Sequence, residues 1–154
     1  MSVRKFLVEM YETFIPHAVA AHFSNGLVPV SVGFLLLALF FRDTFYEHTV
    51  MHLNIVVLLA IPCSFCSGVY LWRTRFKGVQ TPVFRRKLRL SVLLMVLATT
   101  VVAIRALRPD VAIRHDFISW CYFGFIAAML PTVTLLGHYG ARLTLASRQA
   151  PGKR

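Results

Sequence analysis

Leu88–Leu107 reads LRLSVLLMVLATTVVAIRAL, and nothing between Arg89 and Arg105 carries a charge. A helix rises 1.5 Å per residue, so this run reaches about 30 Å, the thickness of a bilayer's hydrocarbon core. Three further runs of the same kind accompany it, at about Pro16–Phe41, His48–Trp72 and Phe117–Tyr139. The links between them are short: Arg42–Glu47, Arg73–Lys87 and Arg108–Asp116. Short links force antiparallel neighbours, which predicts an all-α, integral membrane four-helix bundle with up-down-up-down topology. The whole chain, 1–154, reads as a single membrane domain. Met1–Phe14 mixes Arg4, Lys5, Glu9 and Glu12 with Phe6, Leu7, Met10 and Tyr11. That pattern predicts a short amphipathic helix at the membrane surface, not a cleavable signal peptide. The tail, 147–154, reads as flexible.

Composition agrees. The chain is 57% hydrophobic and 15% charged, whereas a soluble domain carries about 25% charge. This excludes a disordered chain, a collagen-like fibre and an ordinary soluble enzyme. Three cysteines exclude a disulfide framework. Cys63-Ser-Phe-Cys66 lies inside the second run and no histidine follows it, so it is no c-type haem attachment site. Cys63, Cys66 and Cys121 read as small core residues. Glu47 falls in the first link, and no acid lies deep in any span. This argues against a carboxylate-bridged di-metal centre and against an ion pump.

The net charge is +11, but the basic residues sit between apolar runs, which excludes nucleic acid as a partner. Thirteen of the 17 fall on one side: Arg4, Lys5, Arg73, Arg75, Lys77, Arg85, Arg86, Lys87, Arg89, Arg142, Arg148, Lys153 and Arg154. Arg42, Arg105, Arg108 and Arg114 fall on the other. The positive-inside rule then predicts a multi-pass protein of the bacterial inner membrane with both termini cytoplasmic. Arg105 reads as a snorkelling side chain at a span end. Arg85-Arg86-Lys87 and Arg89 mark topology and equally suit anionic lipid headgroups.

The chemistry lies in six histidines. Neutral imidazole is a strong axial ligand for haem iron, and a bundle can hold haem between histidines of facing helices. His22, Gly26, Pro29 and Gly33 form one stripe at helical spacing in the first span. A porphyrin passes most easily over such small residues. His138, Thr134, Pro131, Ala127 and Gly124 form a matching stripe in the fourth. His22 with His138 is therefore the first expected haem pair, with His17 as an alternative to His22. His52 with His115 is the second, with His48 as an alternative to His52. For each histidine the competing reading is a hydrogen-bonded anchor between helices.

The opening Ile15-Pro-His-Ala-Val-Ala-Ala-His-Phe23, followed by Gly26-Leu27, resembles the start of a widespread family of small bacterial four-helix membrane proteins of unknown function. Leu136-Gly-His-Tyr-Gly-Ala-Arg-Leu-Thr144 is similar to that family's closing segment, and Ser67–Trp72 before the basic loop also looks family-like. Ala18 and Ser24 stand where the family often has proline, and the third span lacks a histidine the family often carries. Relatives with a closing histidine occur beside cytochromes, so the resemblance implies a b-type haem role. The expectation is a membrane-embedded cytochrome subunit with one haem b, or two. It passes electrons between the quinone pool and membrane or periplasmic redox subunits. The alternative is a cofactor-free structural anchor or assembly subunit.

Overall fold

The structure, a computed structural model, describes residues 2–5, 16–75, 77–114 and 116–149. Four long helices dominate it: α1 (Pro16–Phe41), α2 (Thr44–Arg75), α3 (Pro82–Leu107) and α5 (Phe117–Gln149). The short α4 (Val111–Arg114) sits in the link before α5. There is no strand among the described residues. Each long helix is apolar enough and long enough to cross a bilayer. The chain is a multi-pass membrane protein whose apolar faces meet lipid.

Local chemistry sets the helix ends. Pro16 opens α1, where a missing N–H costs nothing. Arg42 closes it in the left-handed region at φ 54°, its N–H bonded to the Ala38 carbonyl at 2.9 Å. Asp43 then caps α2 by accepting the Phe45 N–H at 2.9 Å. Thr81 caps α3 by accepting the Phe84 N–H, with Pro82 as the first helical residue. The α2–α3 turn is fastened by Trp72. Its indole N–H donates to the Val79 carbonyl at 2.9 Å, and its ring stacks on Phe84 at 4.6 Å.

Sequential neighbours pack together, α1 on α2 and α2 on α3, and α5 closes the ring against both α3 and α1. The interior is one stripe from each helix. α1 contributes Ser24, Val28, Ser31 and Leu35, and α2 contributes Glu47, Val50, Asn54, Val57 and Ile61. From α3 come Leu94, Leu97, Ala98, Val101 and Arg105, and from α5 Ser119, Tyr122, Ile126, Met129 and Val133. These recur three or four residues apart, the spacing that keeps side chains on one helix face.

Several sequence expectations are corrected here. Helix α2 begins at Thr44, before the expected His48, and α3 at Pro82, before Leu88. Glu47 is therefore a helical residue, not a loop residue. The small-residue stripes do not line the interior: Gly26, Pro29, Gly33, Gly124, Ala127, Pro131 and Thr134 are all exposed. Cys63 and Cys66 also face outward, and only Cys121 is half-buried. The expected N-terminal amphipathic helix falls mainly on residues 6–15, and His115 and 150–154 likewise lie outside the described residues. Residues 147–149 belong to α5.

Candidate functional site

Three polar constellations interrupt the apolar bundle. The first lies at the end near the α1–α2 turn. Arg105 of α3 pairs side-on with both carboxylate oxygens of Glu47 of α2, with Nη2 to Oε2 at 2.6 Å. Its other terminal nitrogen donates to the Pro109 carbonyl. Both side chains are 6% exposed. The Tyr122 ring of α5 is fully buried, and its hydroxyl has no hydrogen-bond partner. So Arg105 does not snorkel outward; it turns in because a buried carboxylate awaits it. Below this pair, Ser119 donates to the Val111 carbonyl and ties α4 to α5.

The second is at mid-depth. Asn54 of α2 donates its amide to the Ser31 hydroxyl of α1 and to the Val50 carbonyl, both at 2.8 Å. Its carbonyl oxygen is buried without a partner.

The third is at the opposite end. His17 of α1 meets the Ser64 carbonyl of α2 through Nδ1 at 2.8 Å, with the Ser67 hydroxyl at 3.4 Å. Its Nε2 lies 3.4 Å from Lys87 Nζ of α3. Lys87 Nζ in turn comes within 3.8 Å of where a side chain on Gly140 of α5 would begin. Three helices thus meet at one imidazole, and Lys87 carries the contact on towards the fourth. Gly68 makes this possible, since a Cβ there would stand 3.0 Å from His17 Cε1. His17 points inward and His22 outward, about 140° apart as five helical residues require.

The expected haem ligands lie elsewhere. His22 and His138 are both exposed, and neither hydrogen-bonds to another of the described residues. The ring of His138 meets Tyr139 edge-on. They stand on neighbouring antiparallel helices. Asn25 of α1 approaches Gly137 of α5, with 4.0 Å between Nδ2 and a Cβ built on the glycine. His22 is one turn before Asn25 and His138 follows Gly137, so the two imidazoles lie at similar depth. Gly26, Gly33 and Gly124 have open space where a side chain would stand. His48 and His52 are exposed on α2, which is diagonal to α5 in the ring. The His52–His115 pair extends outside the described residues.

Sequence reasoning missed Glu47 and the inward turns of His17 and Lys87. The signal for Glu47 was present: with Val50, Asn54, Val57 and Ile61 it forms a clean stripe at helical spacing. Among the described residues, no three His, Cys, Asp or Glu side chains gather as a metal site. No protein-family model matches the chain, and no curated protein or solved structure matches it.

Proposed function

We propose that this chain is an electron-transfer subunit of a membrane complex, with a b-type haem held on the outward seam of α1 and α5 by His22 and His138. The observation that carries this is the pair of imidazoles at similar depth, each without a hydrogen bond among the described residues. A polar ring in that setting is costly unless something outside the chain engages it. The interior does not fit a haem: Val28, Leu94, Ile126 and Met129 fill it, each 2% exposed or less. The seam fits better, because Gly26 leaves room one helical turn from His22. A group held there has one side uncovered by this chain, which is why the reading is a subunit beside another membrane redox protein.

When bound, such a haem supplies one-electron transfer, and a quinone of the bilayer is the natural donor or acceptor. The chain's part is to present two neutral imidazoles and to keep the surroundings apolar. The charge bias supports the bacterial inner membrane with cytoplasmic termini. The resemblance of the His17–Phe23 opening points the same way.

A second reading rests on the interior: His17–Ser64, Ser31–Asn54 and Glu47–Arg105 all bind helix to helix. A cofactor-free anchor needs nothing more. The deciding experiment is a reduced-minus-oxidised visible spectrum with a haemochrome assay on the purified chain and its native partner. The cytochrome reading expects a low-spin b-type signal that His22→Ala or His138→Ala abolishes and His17→Ala retains. A haem-free preparation with the partner present leaves the anchor reading.

A further inference from the structure

The basic run at the start of α3 divides in the structure. Lys87 turns inward to His17, while Arg85, Arg86 and Arg89 stay exposed. With Pro82 these three arginines line an open hollow of about 170 Å³. No acid occurs in the sequence between Glu47 and Asp110. Among the described residues no carboxylate pairs with any of the three. Three guanidiniums therefore surround a space with no counter-charge among the described residues.

Their depth and their continuation identify what fits. Helix α3 has 26 residues, so it spans about 39 Å, some 9 Å more than the hydrocarbon core. Arg105 is buried at the far end, so the excess length includes the first turns, where the arginines stand. Beyond Arg89 the same outward face continues as Val92, Leu93 and Val96, all exposed. The face is cationic at headgroup level and aliphatic below it. Guanidinium groups match phosphate oxygens in pairs, and the positive end of the α3 dipole points the same way.

We propose that Arg85, Arg86 and Arg89 form a binding site for one anionic phospholipid, its headgroup phosphate in the hollow and its acyl chains along Val92, Leu93 and Val96. A free phosphate ion satisfies only the upper half of this face. A phospholipid satisfies both halves, and every membrane presents one at this level.

The test is native mass spectrometry of the full chain released from micelles holding equal amounts of phosphatidylglycerol and phosphatidylcholine. The expected result is one retained phosphatidylglycerol, preferred by roughly tenfold or more, since each basic residue at such a surface adds to the attraction for an anionic lipid. Replacing the three together, Arg85→Gln, Arg86→Gln and Arg89→Gln, removes the preference. Arg73→Gln with Lys77→Gln preserves it. Should the triple variant not fold, Arg89→Gln alone and the wild-type competition decide. Equal retention of both lipids overturns the proposal, as does an unchanged preference in the variants. Displacement of the lipid by millimolar inorganic phosphate assigns the hollow to a soluble anion and equally overturns it.

Discussion

Glu47 and Arg105 lie 58 residues apart on different helices, yet they share two close contacts and are almost fully buried. Removing one partner leaves a buried charge unmatched, at a cost of about 3–5 kcal/mol. Glu47→Ala and Arg105→Ala should each lower the thermal midpoint in detergent sharply. Glu47→Leu combined with Arg105→Met should recover most of that loss, because desolvating the pair offsets much of its attraction. A double variant as unstable as the two losses summed would overturn this account. The stripe from Glu47 to Ile61 is legible in the sequence, but its pairing with Arg105 is not. A charge at the edge of an apolar run reads as a boundary, and only the fold shows that two boundaries meet. The sequence leaves His17 open for a related reason: the spacing shows that it and His22 point apart but not which one faces in.

At the scale of the helix, α5 starts on a single carboxylate. The Ser119 backbone N–H donates to Asp116 Oδ1 at 2.9 Å, and the Ser119 hydroxyl, sharing its one proton with the Val111 carbonyl, lies 2.9 Å from the same oxygen. The backbone N–H is the larger cause and the hydroxyl the next in holding this carboxyl below its ordinary range, with smaller help from Arg108 and Arg114. The unfolded value is near 3.8 and the folded value is lower. The cap's contribution is therefore complete above pH 3.8 and fades as pH falls through the folded value. Asp116→Asn should keep most of the cap at neutral pH and flatten this acid limb. A midpoint series from about pH 6 to about pH 2.5 checks it. An acid limb identical in wild type and variant would show that Asp116 does not carry it. The elements themselves were legible, since a helix must satisfy its own backbone in lipid and apolar length reveals it. Their ends were less so. Apolar length marks the part in hydrocarbon, while α2 and α3 continue into the headgroup region behind the Asp43 and Thr81 caps.

For the molecule as a whole, the ring of four helices followed from short links, but the face each helix turns inward did not. In water an amphipathic stripe reveals the core. In lipid both sides of a span are apolar, so Gly26 and Gly33 are as plausible within as without. The true interior of α1, Ser24–Val28–Ser31–Leu35, mixes small polar and aliphatic residues and differs little in hydrophobicity from the exposed face. Close packing and hydrogen bonding bring such stripes together, as at Asn54 and Ser31.

The buried ion pair also bears on how the chain is made. At about 5–20 residues per second, Arg105 leaves the ribosome roughly 3–12 s after Glu47. For that interval the second span holds a carboxylate without Arg105, its partner in the finished fold. A product stopped short of Arg105 should be a recognisable orphan, short-lived in the cell. Glu47→Gln in the same truncated product should lengthen its half-life in a pulse-chase, and equal half-lives would refute the idea. Arrival of the third span then supplies the carboxylate with its counter-charge, and the chain's first long-range ion pair closes only once three spans are made.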